Sequence, residues 1–361
     1  MRSPMTSKQR VLSAVAHKAT DCVPITFDAE KEVYAALYKH FGIETRGELF
    51  DRLHCDTWLM TPRNYIVPAS ESAKEEKTSI WGWKSVTAHY SGGTYEEVAW
   101  NPLAGKDDPA DIDRHNWPTP ANQDYSQFPA AIAAQKDRAI IAASSWGAYF
   151  IASFVRGLEN LLIDFAVNHA YAERLIGTIA DRILAMMENM LTNWGEGIDI
   201  VYMADDYCSQ KAPLFSPQTF KRLVVPYLGR AAGLAHRHGK KFLLHVCGAV
   251  RPLLSMIIDC GVDMLEPIQV RAEGMDPAGL KRDFGKHICF YGGVDLQQVL
   301  CRGTPKTVAA EVRRLIDILG EGGGYVLGPG HTYIQVDAPI PNILAMYETA
   351  HAYRRKTSRP D

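Results

Sequence analysis

The sequence predicts an α/β protein, a single (β/α)8 TIM barrel over residues 1–361. In the C-terminal half, short β-branched or aromatic runs alternate with longer stretches at helical spacing, which is typical of parallel strands with helices outside them. The chain has 361 residues, 47% of them hydrophobic, which suits one barrel with additional segments. A doubly wound parallel sheet is the second choice.

The N-terminal third contributes fewer clear elements. Val11, Leu12 and Val15 lie at amphipathic helical spacing, which predicts an N-terminal helical extension. The runs CVPITF (22–27) and AIIAAS (139–144) are candidate strands. Residues from about 56 to 127 break the alternation with WGW, SGGTYEE and a polar passage that contains prolines. We expect this stretch to form an insertion with hairpin-like character near the barrel mouth.

Five strand-helix units follow in the C-terminal half. Their strand-like runs are DIVYMAD (199–205), KFLLHVC (241–247), VDMLEPI (262–268), HICFYGG (287–293) and GYVLGPG (324–330). Helical stretches lie between these runs, and the one after the first run begins at Ser216, a good N-cap, followed by Pro217 in the first turn. The last such helix runs into GGG, which is a strong stop signal.

Composition narrows the function classes. The 39 basic and 41 acidic residues give a net charge of −2 with no basic stripe, so nucleic acid is not an expected partner. The seven cysteines are irregularly spaced, which is unlike a disulfide framework and favours a reducing compartment. The N-terminus has no signal-peptide core, and the uncharged run 139–155 is short for a membrane span. We therefore expect a cytoplasmic protein.

Reactive side chains follow the predicted strands where each strand ends. In a barrel, these ends meet on one face, and the loops there build the site. The residues are Asp205, Asp206, His245, Cys247, Glu266, Gln269, Asp295 and His331. Five successive ends therefore contribute polar residues to one mouth.

His245 and Cys247 are the most specific pair. Because they are two residues apart on a strand, both side chains face the same way and can reach one ion. Imidazole plus thiolate is a ligand pair that zinc favours, although the same residues could simply pack inside the barrel. Glu266 is a candidate third ligand or base. His331 is either a structural histidine, a ligand or a general acid.

Asp205 and Asp206 are adjacent, so at most one of them points inward from an extended backbone. We expect the other to cap the segment that follows. The remaining cysteines at 208, 260, 289 and 301 are interpreted as packing residues.

Taken together, these blocks resemble the uroporphyrinogen decarboxylase superfamily over nearly the whole chain. The matching stretches are RVLSAVAHKATDCVPI, RGLENLLIDF, the DDY passage after GIDIVYMA, LLHVCGAVRPLLSMIIDCGVDMLEPIQ, FYGGVDLQQVL and GGGYVLGPGHTYIQVDAPIPNILAMYE. The resemblance implies a barrel with one of two activities, porphyrinogen decarboxylation or zinc-dependent methyl transfer to or from corrinoid proteins or thiols. True decarboxylases carry arginines shortly after the first strand, whereas this chain has Asp28, Glu30 and Glu32 there.

The resemblance therefore favours the methyltransferase branch, with His245 and Cys247 as zinc ligands. Zinc is the implied metal, and a separate corrinoid protein is the implied partner, with a small-molecule methyl donor or thiol as the other reactant. One departure is that His331 stands where well-defined zinc sites of that branch have a cysteine. Either His331 is a ligand, or Glu266 or an aspartate completes the set.

Three functions stay open at this point. The first is methyl transfer, in which zinc activates a thiol or a methoxy oxygen. The second is a metal-free decarboxylase of a tetrapyrrole or a smaller acid, with Asp205, Asp206 and His331 as catalytic residues. The third is a non-catalytic relative that binds a corrinoid or tetrapyrrole. Expected substrate-binding residues are Tyr207, Gln269 and Asp295, and a homodimer is left open.

Overall fold

A curled parallel sheet of seven strands organises the chain, with order β1-β7-β8-β9-β10-β11-β12. The computed structural model describes residues 5–64, 76–90 and 93–353. The strands are β1 (Thr57–Met60), β2 (Arg63–Asn64), β3 (Glu76–Thr78), β4 (Lys84–Tyr90), β5 (Gly93–Trp100), β6 (Gln123–Asp124), β7 (Ala139–Trp146), β8 (Ile200–Ala204), β9 (Lys241–His245), β10 (Met264–Glu266), β11 (Cys289–Tyr291) and β12 (Tyr325–Val326). All neighbouring pairs in the seven-stranded sheet are parallel, so the predicted α/β barrel class is confirmed.

Helices pack around this sheet. They are α1 (Ser7–Val15), α2 (Lys31–Phe41), α3 (Arg46–Arg52), α4 (Pro109–Arg114), α5 (Phe128–Ala134), α6 (Ala148–Arg156), α7 (Leu158–Val167), α8 (His169–Trp194), α9 (Pro217–Leu223), α10 (Val225–Arg237), α11 (Leu254–Asp259), α12 (Pro277–Phe284), α13 (Pro305–Leu319) and α14 (Ile340–Tyr353). In the described part of the chain, no helix combines the length and the hydrophobicity that crossing a membrane would require.

The segment 24–27 closes the sheet between β12 and β1. Ile25 forms a parallel bridge with Leu327, and the amide of Thr26 donates to the Leu327 carbonyl at 2.9 Å. On the other side, the amide of Asp56 donates to the Ile25 carbonyl at 2.7 Å. The predicted strand CVPITF thus takes the eighth position, although its pairing is limited to these few bonds.

Helix α1 covers the end of the barrel opposite the carboxyl ends of the strands. Val11 and Val15 pack against Ile141, Ile200 and Leu243, which project from the sheet. The helix begins in a capping box in which Thr6 and Gln9 satisfy each other's backbone amides. The predicted N-terminal helical extension is therefore confirmed, and its packing leaves the opposite mouth open for a site.

Local sequence signals place the C-terminal helices. The hydroxyl of Ser216 accepts the Thr219 amide and caps α9, as predicted. The long helical stretch that follows is divided into α9 and α10, because Pro226 cannot donate a backbone hydrogen bond inside a helix. After α13, the three glycines at 322–324 adopt φ values of 69°, 83° and 72°, a region that favours glycine.

The predicted insertion begins later than residue 56. Thr57–Met60 is a barrel strand that pairs in parallel with β7, so the boundary predicted at about 56 is wrong. The run TWLM is only four residues long, which explains why its strand character was missed. The antiparallel sheet β3-β4-β5 forms the hairpin-like part of the insertion, as expected. Residues 65–75 and 91–92, including part of SGGTYEE, lie outside the described residues.

Two tryptophans of the insertion, Trp81 and Trp83, are buried in the main core. Trp81 packs edge-on against Trp117, and Trp83 stacks on Trp146 at a ring-centroid distance of 5.9 Å. These two rings are therefore core residues. Trp58 differs, since it is only partly buried and lines a cavity at the barrel mouth.

Candidate metal centre

Three adjacent strands bring their polar ends together at the barrel mouth. In the register of the sheet, Ala204 of β8 and Glu266 of β10 both pair with His245 of β9. The residues that follow β8 and β9, among them Asp206 and Cys247, therefore lie beside His245. This arrangement follows from the parallel sheet, in which the carboxyl ends of neighbouring strands share one edge.

Asp206, His245 and Cys247 form a cluster in which one potential ligand atom of each lies within 4.8 Å of the others. The Cys247 Sγ is 3.3 Å from the His245 Nε2, and that nitrogen is 3.6 Å from the Asp206 Oδ1. A thiol, an imidazole nitrogen and a carboxylate oxygen are the donor types found in zinc sites. The donor set therefore fits zinc, the metal that the family resemblance implies.

Glu266 and Thr332 fix the imidazole of His245 on its Nδ1 side. Its Nδ1 lies 2.6 Å from the Glu266 Oε2, and because a carboxylate only accepts hydrogen bonds, Nδ1 carries the proton. The hydroxyl of Thr332 donates to the Glu266 Oε1 at 2.8 Å and lies 3.0 Å from the His245 Nδ1. The Nε2 of His245 is thereby presented toward Cys247 and Asp206, which is how a carboxylate orients a metal-binding histidine.

Charge and burial act in opposite directions on these groups. Burial alone would lower the pKa of His245, but Glu266 and then Cys247 raise the pKa well above its usual value. Burial alone would raise the pKa of Glu266, yet His245 and Thr332 hold it below the usual range. Burial raises the pKa of the Cys247 thiol. A cation would compete with these protons for Nε2 and Sγ.

The loop after β9 needs a glycine to fold around Cys247. Gly248 has a φ of 91°, and a Cβ at this position would lie 2.4 Å from the Ser209 carbonyl oxygen. The Gly248 amide donates to the Gln269 Oε1 at 2.9 Å, while the Gln269 Nε2 lies 3.4 Å from the Cys247 Sγ. The Cys247 amide in turn donates to the Asp206 Oδ1 at 2.7 Å. The glycine and these bonds fix the thiol relative to the carboxylate.

Asp205 is turned away from the cluster. Its carboxylate is fully buried and accepts hydrogen bonds from the Phe150 amide at 2.7 Å, the Tyr207 hydroxyl at 2.9 Å and the Tyr227 hydroxyl. Burial raises the pKa of Asp205 to about 7, against the effect of these three donors. Of the predicted residues, Asp205 and Tyr207 thus lie together in the wall of the barrel, and Asp206 lies in the cluster.

A cavity of about 590 Å³ opens beside the cluster. Its lining includes the predicted residues Gln269, Asp295 and His331, together with five glutamines in all, two arginines and two aspartates. The His331 ring lies 6.0 Å from the His245 ring, and burial, followed by the charge of His245, lowers the pKa of His331. Asp295 accepts the Gln297 amide at 3.0 Å and lies 3.5 Å from the Arg271 guanidinium.

Sequence reasoning missed two contributors to this site. Thr332 supports both Glu266 and His245, and Gln210 lines the large cavity. Thr332 directly follows His331 in the GPGHT turn, so its position at a strand end was the available signal. Gln210 lies in a loop after β8 with no distinctive spacing. Glu266 was considered as a ligand, and the structure places its carboxylate behind His245.

Comparison with known proteins finds one family model and two similar methyltransferases. Residues 105–353 match the family model described as "Uroporphyrinogen decarboxylase (URO-D)". The chain is 30% identical over 161 residues to the methylcobamide:CoM methyltransferase MtaA of Methanosarcina barkeri strain Fusaro, over 44% of this chain and 42% of that protein. A second Methanosarcina barkeri protein of the same name is 29% identical over 157 residues. The matched region thus spans 42% of the length of these relatives.

A solved structure supports the fold over the full length. The structure described as "methyltransferase from Methanosarcina mazei" superposes with a TM-score of 0.67 at 18% identity, covering 97% of this chain and 99% of that one. At this identity the likeness concerns the fold. The family model covers more than half of the chain. The chain therefore belongs to the uroporphyrinogen decarboxylase (URO-D) family.

Proposed function

We propose that this chain is a zinc-dependent methyltransferase that moves a methyl group between a small-molecule donor or thiol and a corrinoid protein. The cluster of Asp206, His245 and Cys247 carries the proposal, because it joins a thiol, an imidazole and a carboxylate at the mouth of a barrel. The names of the two similar Methanosarcina barkeri proteins support the methyl-transfer part. The proposal includes zinc as the metal, a separate corrinoid protein as the partner, and a cytoplasmic location.

Asp206, His245 and Cys247 would hold the metal. When bound, zinc would supply Lewis acidity, which favours the thiolate form of a thiol or polarises a methoxy oxygen. Glu266 keeps the proton on Nδ1 of His245, so that metal binding would displace only the proton on Nε2. Gln269 orients Cys247 from the cavity side. These residues position the reacting group without themselves forming a covalent bond to it.

The cavity of about 590 Å³ would take the small reactant. Gln269 and Asp295 line it and are assigned to substrate binding, and His331 also lines it, with its ring 6.0 Å from that of His245. We assign His331 to a proton-transfer or substrate-binding role. Asp205 and Tyr207 are assigned to holding the wall, because their hydrogen bonds are made to each other and to neighbouring helices.

The first experiment measures metal content and turnover on the same preparations. Parent protein, Cys247→Ala and the control Cys260→Ala are purified without a histidine tag and analysed for zinc by mass spectrometry. Free methylcobalamin and a small thiol such as coenzyme M then serve as methyl donor and acceptor, with loss of methylcobalamin followed by absorbance. Cys260 is half-buried, packs against the core, and its thiol donates to the Val225 carbonyl, so its replacement should leave zinc binding unchanged.

We expect about one zinc per chain in the parent and in Cys260→Ala, and loss of both zinc and turnover in Cys247→Ala. A parent that takes up no zinc under reducing conditions would refute the proposal. In that case decarboxylation of a tetrapyrrole or smaller acid would become the leading function, and release of carbon dioxide would be the assay. Zinc binding with no methyl transfer from any corrinoid donor would instead favour a binding protein.

A further inference from the structure

A second cavity, of about 440 Å³, is lined by Tyr333, two residues after His331 on the same loop. It is lined at the carboxyl ends of the strands: Asp28 follows the closing segment, Thr61 follows β1, and Tyr333 belongs to the loop after β12. The loops at this end of a barrel are where ligand sites form. None of the residues proposed above to hold zinc lines this cavity.

The walls of this cavity are aromatic. Tyr34, Tyr38, Trp58 and Tyr333 all line it. Tyr34 and Tyr38 meet edge to face at 6.0 Å, and Tyr333 has 40% of its surface exposed although it is a large aromatic residue. Rings arranged around an open volume offer flat faces to a planar ligand. A ligand ring that packs on these faces would remove its own apolar surface and theirs from water, which favours binding.

Arg46 places a guanidinium in the same wall. Its Cζ lies 4.3 Å from the centroid of the Trp58 ring and 4.7 Å from that of Phe50, so the cation lies over both rings, which meet edge to face. Its Nη1 donates to the Leu59 carbonyl at 2.9 Å. Its Nε is buried and has no hydrogen-bond partner among the described residues. A ligand carboxylate would instead pair with the open end of the guanidinium, since the Arg46 side chain is 29% exposed.

The charges in the cavity favour an anion. Arg46 Nη2 is 3.9 Å from the Asp28 Oδ2, but burial raises the pKa of Asp28 despite this neighbour and despite a hydrogen bond from Tyr34. At 3.9 Å the two groups do not form a hydrogen bond, so the Nη2 donors of Arg46, whose guanidinium stays charged, can turn to a ligand acceptor. A cationic ligand would meet Arg46 already stacked on Trp58, whereas a carboxylate would be attracted to it.

We propose that the 440 Å³ cavity binds a small planar aromatic carboxylate, whose ring packs on Trp58 and the tyrosines and whose carboxylate pairs with Arg46. This proposal does not depend on the methyltransferase assignment, since none of the zinc-cluster residues lines the cavity. The two spaces are nevertheless neighbours: the His331 and Tyr333 rings lie 6.4 Å apart on one loop.

Isothermal titration of the full chain with benzoate tests the proposal. The comparison probes are cyclohexanecarboxylate, which keeps the charge but loses the flat ring, and benzyltrimethylammonium, which keeps the ring but reverses the charge. For a ligand of this size we expect a Kd of roughly 0.1–1 mM for benzoate and much weaker binding of both comparison probes. Tighter binding of benzyltrimethylammonium than of benzoate would overturn the anion assignment.

Variants locate the site. Arg46→Met should weaken benzoate binding at least about tenfold, as expected for loss of a charge-assisted hydrogen bond. Arg52→Met, at the exposed end of the same helix, is the matched control and should bind like the parent. Because Arg46 also supports the Leu59 carbonyl, Tyr333→Ala provides a second test on an exposed ring, with an expected weakening of several-fold.

Cys247→Ala separates this site from the metal cluster. If benzoate binding survives in that variant, the ligand does not depend on the cluster, whatever the zinc and turnover assays show. Benzoate binding that is lost in Cys247→Ala but kept in Arg46→Met would place the carboxylate at the cluster and refute the second site. Absence of heat at about 10 mM benzoate with the folded parent would refute it as well.

Discussion

Replacing Glu266 by Gln should weaken zinc binding while leaving the three proposed ligands in place. The substitution keeps the shape of the side chain but removes the negative charge that lies 2.6 Å from the His245 Nδ1. Both side chains are almost completely buried, so water cannot compensate for the lost charge. Loss of a carboxylate behind a metal-binding histidine typically reduces affinity by about 10- to 100-fold, or roughly 1.4–2.7 kcal/mol.

The assay is competition for zinc against a chromophoric chelator, with parent, Glu266→Gln and Glu273→Gln compared under reducing conditions. Glu273 is exposed, so its replacement controls for the loss of one negative charge. Thermal unfolding of each metal-free variant checks that the barrel is intact. Thr332→Val should show a smaller loss than Glu266→Gln, because the carboxylate still faces Nδ1. A zinc affinity in Glu266→Gln within about twofold of the parent would refute the assigned orientation of His245.

Three further predictions concern stability. Gly147→Ala should lower the free energy of unfolding by about 1–3 kcal/mol, since a Cβ there would lie 2.0 Å from the buried Asp205 carboxylate. Gly177→Ala should raise the free energy of unfolding by about 0.5–1 kcal/mol, because Gly177 lies in α8 with open space around it. Asp164→Asn removes half of a buried ion pair and should cost about 3–5 kcal/mol, but Asp113→Asn on the surface under about 1 kcal/mol. Burial lowers the pKa of His115 below its unfolded value of 6.5, so the free energy of unfolding should fall as pH drops below about 6.5, less steeply in His115→Gln.

Urea or guanidinium denaturation measures all of these changes. Equal stability of the two glycine variants would contradict the close approach of Gly147 to the Asp205 carboxylate. A surface aspartate that costs as much as the buried one would contradict the role given to burial. An identical pH dependence in parent and His115→Gln would mean that this histidine titrates alike in the folded and unfolded chain.

The strands that carry the site could be predicted because their signals are local. KFLLH (241–245) is a nearly continuous apolar run, and the two-residue spacing of His245 and Cys247 already places both side chains on one side. Thr57–Met60 was missed because a four-residue strand between polar flanks has too little pattern to recognise. Its position depends on pairing with β7, which is distant in the sequence, and with the segment 24–27, which contributes few hydrogen bonds.

The choice between Asp205 and Asp206 could not be made from the sequence. Alternation along a strand says only that two adjacent residues face opposite ways. Which one faces the cluster is decided by Phe150, Tyr207 and Tyr227, whose donors surround Asp205. Two of these three residues lie tens of residues away along the chain. The support of His245 by Thr332 has the same origin, since they are separated by 87 positions.

Because the two aspartates point in opposite directions, one of them has a structural role and its neighbour in the sequence has a chemical one. Asp205 joins β8 to α6 and α10 through three donors, so a change there disturbs the wall of the barrel. Asp206 is partly exposed and receives one backbone amide, from Cys247. The chain can therefore exchange the donor atom at position 206, and with it the preference for a metal or substrate, while the packing of the barrel stays the same.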